Sequence, residues 1–191
     1  MTEIIFATNN AHKLAEVQAV LGDGFRLLTP AECGITEDIP ETQPTLEGNA
    51  AQKARYIFER THKNCFADDT GLEVTALEGA PGVRSARYAS DGHDFEANNR
   101  LLLNNLKGIT DRRARFRTAI CLILDGREHR FEGVVEGRIA EKPSGAGGFG
   151  YDPLFVPEGF NRTFAEMTAD EKNEVSHRGR AVRKLAQFLL G

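Results

Sequence analysis

Cysteine is scarce in this chain: Cys33, Cys65 and Cys121 lie far apart, form no C-x-x-C pair and, being three, cannot all pair with one another. That usage excludes a disulfide-stapled secreted scaffold and fits a reducing cytoplasm. No apolar run approaches the ~18 residues of a membrane span. The opening segment Met1–Asn10 carries an acid at Glu3 and no basic stretch, so no secretory signal is expected. Positive charge is not in excess either: 24 Lys and Arg face 28 Asp and Glu, a net charge of −4. Proteins that coat nucleic acid usually present a basic face, so bulk DNA or RNA binding is not expected. The chain also lacks repeats, low-complexity tracts and any Ser/Pro-rich linker. No Gly-Lys-Ser/Thr phosphate loop and no Gly-x-Ser-x-Gly elbow occurs. His12, His62, His93 and His129 show no metal-ligand spacing with one another or with cysteine.

What remains is a 191-residue chain with 40% apolar residues, enough to bury a sizeable core without staples. Its length suits one α/β domain, 1–191, or two small lobes sharing a cleft. Short apolar runs at 3–8 and 25–29 alternate with helical periodicities at Leu14, Val17 and Leu21 and over 45–60. Residues 30–44 read as an acidic loop holding Glu32, Glu37, Asp38 and Glu41. Cys65-Phe66-Ala67 and Leu72-Glu73-Val74 read as two short strands flanking a tight segment, Asp68-Asp69-Thr70-Gly71. A Gly/Pro loop spans 79–92 and a Leu-rich helix 94–107. Strands at 113–124 and 128–140 meet at Asp125-Gly126, the strongest hairpin signal present. Thr163-x-x-Glu166 and Thr168-x-x-Glu171 are capping boxes, and a last helix over 177–190 carries Val182, Leu185 and Leu189. The expected class is a mixed α/β fold and not a pure doubly wound sheet.

Several segments could carry chemistry. Gly145, Gly147 and Gly150 match G-x-G-x-x-G, but Pro153 and the strand Leu154-Phe155-Val156 follow where a dinucleotide fold needs a helix. The loop is instead suited to wall a flat ligand, or to be a mobile hairpin. Thr8-Asn9-Asn10-Ala11-His12-Lys13 lies at a strand-to-helix junction, where backbone N–H groups favour phosphate; ordinary capping is the plain alternative. Asp68 and Asp69 should point to opposite faces of their strand, so that one carboxylate faces a ligand while its neighbour is structural. They could equally be turn formers. Residues 172–184 hold Lys172, Arg178, Arg180, Arg183 and Lys184 against Glu174 alone, a local +4. Arginine's planar fork suits directed recognition of phosphate or carbonyl oxygen. The run Arg112-Arg113-Arg115-Arg117 is read as an exposed strand face.

Six segments occur in a fixed order: Thr8-Asn9-Asn10-x-x-Lys13, Glu47-x-Asn49-Ala50-x-x-Lys53-Ala54, Ala67-Asp68-Asp69-Thr70-Gly71-Leu72, Gly79-Ala80-Pro81-Gly82-Val83-x-Ser85-Ala86-Arg87-Tyr88, Gly147-Gly148-Phe149-Gly150-Tyr151-Asp152-Pro153 and Lys172-x-x-x-Ser176-His177-Arg178-Gly179. Together they resemble the non-standard purine nucleoside triphosphate pyrophosphatases, the inosine/xanthosine triphosphate diphosphatase family. The resemblance runs from residue 4 to about 190. It implies an elongated α/β protein of two lobes around a long central mixed sheet, with a cleft between the lobes, active as a homodimer. The implied reaction, with Mg²⁺, converts ITP, dITP or XTP and water to the monophosphate and pyrophosphate. By position, Thr8, Asn9, Asn10, Ala11, His12 and Lys13 would bind the triphosphate. Asp69 would be the catalytic carboxylate and a metal ligand, with Glu41 the second ligand. Thr70 would contact substrate, and Phe149, Gly150, Tyr151 and Asp152 would wall the nucleotide, Phe149 stacking on the base. Lys172, His177 and Arg178 would complete base and phosphate recognition. Asn9 stands where the family commonly has Gly, and Thr70 where it commonly has Ser. Asn tolerates left-handed backbone angles and Thr keeps the hydroxyl, so the implied activity survives both. Two other readings stay open: a pyrophosphatase for modified pyrimidine triphosphates, and a nucleotide sensor without catalysis.

Overall fold

A computed structural model describes all residues, 1–191. Six strands form one mixed sheet in the order β2-β1-β3-β4-β5-β6. They are β1 (Thr2–Phe6), β2 (Phe25–Leu28), β3 (Cys65–Val74), β4 (Arg113–Leu124), β5 (Arg127–Ile139) and β6 (Phe155–Pro157). The helices are α1 (Ala11–Leu21), α2 (Leu46–Thr61), α3 (Phe95–Asn105), α4 (Ala169–Val175) and α5 (His177–Leu190). β1 pairs in parallel with both β2 and β3, whereas β6 runs antiparallel to β5. The mixed α/β class expected from the sequence is therefore observed. No helix is long and apolar enough to cross a membrane.

The chain divides into two compact units. The first comprises 1–69, 118–133 and 178–191; the second comprises 70–117 and 134–177. In the first, β1 and the adjoining parts of β3 and β4 are buried on both faces, which is why they read as unbroken apolar runs. Ile4, Phe6, Phe66, Ile120 and Leu122 pack with Val17 and Leu21 of α1 and with Ala181, Val182 and Leu185 of α5. The alternate residues Ile5, Ala7, Cys65, Ala67, Cys121 and Ile123 pack with Ala50, Ala54 and Ile57 of α2. The period of two along each strand divides these residues between the two helical layers. In the second unit Leu72, Val74, Phe116, Val135, Ile139 and Phe155 of the sheet meet Leu102 and Leu106 of α3, together with Phe164.

Local signals were obeyed at several places. Asp125 and Gly126 both take positive φ (51° and 80°), the backbone of a two-residue hairpin turn. Both capping boxes form, at Thr163 and at Thr168. Two expectations are corrected. Asp68-Asp69-Thr70-Gly71 is not a tight segment between short strands but the interior of the ten-residue β3. The strand stays continuous because cationic and amide side chains satisfy both carboxylates. The arginine run is an exposed strand face only in part, at Arg113 and Arg115. Arg112 donates to the carbonyls of Leu106, Ile139 and Ala140 at 3.0, 3.0 and 2.8 Å, and Arg115 and Arg117 both pair with Glu73. A single arginine thus ties the end of α3 to the end of β5.

Phe66 is fully buried and its ring stacks on Phe6 at 4.5 Å between centroids. Phe66→Ala is expected to cost about 3–5 kcal/mol. Urea unfolding should show this as a lower midpoint with an unchanged slope.

Candidate active site

Each unit carries its own cluster of buried polar side chains. In the first unit the cluster begins where β1 ends. Asn10 caps α1, its side chain accepting the backbone N–H groups of His12 (2.9 Å) and Lys13 (3.2 Å), and Thr8 Oγ1 accepts the Asn10 N–H at 3.1 Å. The cap leaves Asn9, Ala11 and His12 at the surface and turns Lys13 inward. Lys13 Nζ then reaches Asp68 Oδ1 at 3.1 Å. Asp68 is almost fully buried and also takes Arg178 Nε on Oδ2 at 3.2 Å. Arg178, at the start of α5, is itself held by Glu16 of α1 at 2.5 Å. Burial alone would raise the Asp68 pKa, but Lys13, Arg178 and Lys53 outweigh it and hold the carboxyl far below the usual range.

Asp69 has different company. Its Oδ2 accepts Asn49 Nδ2 at 3.0 Å, a neutral donor. Desolvation pushes its pKa up; Lys53 and Lys13 oppose that rise only in part, and Glu41 adds to it. One strand therefore carries two adjacent carboxylates of opposite character, as alternation along β3 permits. The partners of Asp69 come from α2. Asn49, Gln52 and Lys53 lie three and four residues apart, hence on one helix face. Asn49 Oδ1 accepts the Gln43 N–H at 2.8 Å, and Gln52 exchanges two 2.8 Å bonds with Thr42. Lys53 Nζ bonds Glu41 Oε1 at 2.6 Å and the Asp68 carbonyl at 2.5 Å. The same face of α2 thus fixes residues 41–43 of the acidic loop and the backbone of β3. Despite its burial, Lys53 is held above the ordinary lysine range by Glu41, Asp69 and Asp68.

The second unit's cluster is built on the glycine loop. Gly148 has φ 68°, and a Cβ there would lie 2.1 Å from Asp152 Oδ2, so no larger residue fits. The close approach lets Asp152 Oδ2 accept the Phe149 N–H at 3.0 Å. The same oxygen takes Lys172 Nζ of α4 at 2.7 Å, both side chains being buried. Lys172 Nζ also lies 4.8 Å from the centroid of the half-buried Phe149 ring. Tyr151 anchors the loop by donating its hydroxyl proton to the Ser85 carbonyl at 2.6 Å. His177 is buried with its ring stacked on Phe116, centroids 4.5 Å apart.

Of the residues singled out from the sequence, Lys13, Asp68, Asp69, Glu41 and Arg178 share partners in the first unit. Phe149, Asp152 and Lys172 do so in the second. The chain passes from one unit to the other four times, at Asp69–Thr70, Arg117–Thr118, Gly133–Val134 and His177–Arg178. Asn49, Lys53 and Glu16 carry no sequence-derived role. A signal for two of them did exist: Asn49 and Lys53 interrupt the apolar stripe of α2 at Leu46, Ala50, Ala54 and Ile57. Glu16 has none, because its partner lies 162 positions away.

The oxygen donors suit a hard cation. Glu41 and Asp69 both act on Lys53, and Glu41 adds to the rise that burial imposes on Asp69. No three His, Cys, Asp or Glu side chains gather closely enough to form an all-protein metal cage. Mg²⁺ is typically held by one or two carboxylates and completed by substrate phosphates, which this donor set fits.

The model of the Ham1 family matches residues 4–188 of this chain. A dITP/XTP pyrophosphatase of Porphyromonas gingivalis is 52% identical over the whole chain and 98% of that protein. That of Bacillus subtilis is 46% identical over 99% of this chain and 98% of its own length. The chain belongs to the Ham1 family. Among solved structures, the Ham1 protein of Staphylococcus aureus superposes with a TM-score of 0.90 at 38% identity, covering 100% of this chain and 99% of its own. A HAM1 protein from Coxiella burnetii gives 0.91 at 39%, with the same coverage. The six ordered segments of the sequence thus led to the family found, and Asn49 and Lys53 of this Ham1 chain lie within one of them.

The buried charges of this Ham1 chain make it acid-labile. The folded pKa of Asp68 lies below the ordinary 3.8, so its stabilisation is complete above that value and is lost as pH falls below it. Asp68→Asn leaves Lys13 and Arg178 facing a neutral group and should cost about 3–5 kcal/mol at neutral pH. Denaturation followed between pH 7 and 2 should show the variant's stability falling less steeply below pH 4 than the wild type's.

Proposed function

We propose that this protein hydrolyses non-standard purine nucleoside triphosphates (ITP, dITP and XTP) to the monophosphate and pyrophosphate, with Mg²⁺, as a homodimer in the cytoplasm. The observation that carries the reading is the unequal pair on β3, Asp68 neutralised by cations beside an Asp69 of raised pKa held by an amide. The names of the relatives give the substrate class. Under this reading Thr8 to Lys13 take the phosphate end, and Phe149, Asp152 and Lys172 take the base.

Glu41 and Asp69 would hold Mg²⁺, which would supply charge neutralisation on the phosphate oxygens. Asp69 orients the attacking water and accepts its proton, to which its raised pKa is suited. As the water oxygen bonds to the α-phosphorus, the α–β bridging oxygen departs with its electron pair on pyrophosphate. Lys13 and the N-terminus of α1, from Thr8 to His12, stabilise that leaving group. The Thr70 hydroxyl contacts substrate next to the reacting centre. Phe149 stacks on the purine, with Gly150, Tyr151 and Asp152 forming the wall. Lys172, His177 and Arg178 direct donors at the base and phosphates. The 6-oxo group of ITP and XTP accepts such a donor, whereas the amino group of ATP leaves it unpaired, costing about 1–3 kcal/mol.

The decisive experiment is a panel of ITP, XTP, dITP, GTP, ATP and dUTP with Mg²⁺, scoring pyrophosphate against orthophosphate. Pyrophosphate from the 6-oxo purines is expected; orthophosphate as first product, or a preference for dUTP, would overturn the reading. Asp69→Asn should lower kcat about 10²–10⁴-fold while ITP still binds. Arg178→Ala should lower the ITP-to-ATP ratio of kcat/KM at least about fivefold, the lower end of the cost of an unpaired donor. The ratio cancels any loss of folded enzyme through the Asp68 pair.

A further inference from the structure

Two adjacent asparagines of α3 have contrasting surroundings. Asn98 is satisfied at both ends: its amide donates to the Ala86 carbonyl at 3.0 Å and its oxygen accepts the Ala89 N–H at 2.8 Å. This is a structural asparagine, which ties the loop after Arg87 to the helix. Asn99 is used at one end only. Its Nδ2 donates to the Gly150 carbonyl at 3.1 Å, while no protein group donates to its buried Oδ1. Turning the amide over would set oxygen against the Gly150 carbonyl, so the donor orientation is the one the loop imposes. An apolar side chain of the same size would fill the place without burying an unpaired oxygen. Folding stability is therefore a poor reason for asparagine at this position. The single hydrogen bond to Gly150 is what the side chain contributes.

Gly150 follows Phe149 directly and has φ 61°, a left-handed conformation with open space where a Cβ would stand. Its carbonyl belongs to the Gly150–Tyr151 peptide, so the bond from Asn99 pins the backbone one residue beyond Phe149. One turn before Asn99, on the same helix face, Phe95 meets the Phe149 ring at 6.2 Å between centroids, tilted by 45°. Phe95 is one of the few large apolar residues left partly exposed. Helix α3 therefore touches the loop twice, at the aromatic ring and at the next carbonyl. The loop's other ties hold Tyr151 and Asp152 and reach Phe149 through its N–H, through its carbonyl, which accepts the Asp152 N–H at 3.2 Å, and through Lys172 beside its ring.

We propose that Asn99, with Phe95 one turn before it, is a positioning residue for the base. Its amide holds the Gly150 carbonyl so that the Phe149 ring is set for stacking before a nucleotide arrives. The inference rests on the reading that Phe149 stacks on the purine, and deepens it by naming what pre-orients the ring. Pre-organisation of this kind enters the affinity for the base-bearing part of the substrate and leaves the bond-breaking step alone.

The test is calorimetric binding of IMP and of inorganic pyrophosphate, with ITP kinetics and thermal melts, on wild type, Asn99→Leu and Asn99→Asp. Asn99→Leu keeps the size and removes both polar ends. Asn99→Asp keeps shape and acceptor but removes the donor, so it decides the matter if the leucine variant fails to fold. Both should weaken IMP binding and raise the KM for ITP by about tenfold, equivalent to ~1.4 kcal/mol. The kcat, the melting temperature of Asn99→Leu and the affinity for pyrophosphate should stay near wild type. Unchanged IMP affinity in either folded variant would overturn the proposal. Equal weakening of IMP and pyrophosphate would overturn it too, since it marks general damage. Failure of the underlying reading looks different: the wild-type chain would then release no IMP and pyrophosphate from ITP.

Discussion

Asp68 is an ionised carboxylate with almost no contact with water, held in the interior of a strand by two full positive charges. Taking such a group out of water is strongly unfavourable unless cations and hydrogen bonds replace its hydration. Here Lys13 comes from α1, Arg178 from α5, and Lys53 of α2 bonds the residue's own carbonyl. Glu16 in turn neutralises Arg178. Three helices remote in sequence are tied to one residue of β3, and the two apolar layers of the first unit are sealed over by the same side chains. Remove the carboxylate and Lys13 loses its ion-pair partner in a dry place, while Arg178 loses one of its carboxylate partners. Remove a cation and the strand can no longer run straight through two adjacent acids.

The neighbouring carboxylate shows why the arrangement suits chemistry. Consecutive residues on a strand face opposite ways, so Asp69 takes a neutral amide from Asn49 where Asp68 takes two cations. The helix that supplies this amide also holds Glu41 and the backbone of residues 42 and 43. One polar face of α2 therefore sets the acidic loop against the strand through three side chains at helical spacing. An irregular loop acquires a fixed placement in this way, and that placement belongs to the helix and not to the loop.

In the second unit the same economy appears with backbone in place of charge. Gly148 permits an approach that a methyl group would block, and one oxygen of Asp152 serves both the Phe149 N–H and Lys172. The glycine-dense stretch is thus a wired loop with an aromatic ring at its tip. Its resemblance to a dinucleotide fingerprint is one of spacing alone, because it leads into β6.

The sequence by itself determined the elements with strong local codes. These are the helices with apolar stripes, the Asp125-Gly126 turn, the two capping boxes, and strands whose unbroken apolar runs require burial on both faces. Six short segments in order also determined the family, since each is a local pattern that survives without knowledge of contacts. Tertiary structure alone decided the rest. Asp68-Asp69-Thr70-Gly71 has the composition of a turn, and only partners 55 and 110 positions away make it strand interior. Arg112 has the spacing of a solvated residue, and only the convergence of three carbonyls makes it a structural pin. Asn99 is indistinguishable from Asn98 in sequence and differs from it only in what lies opposite. The common reason is that charge and hydrogen-bonding capacity are properties of a residue, whereas their neutralisation depends on groups that folding brings from elsewhere in the chain.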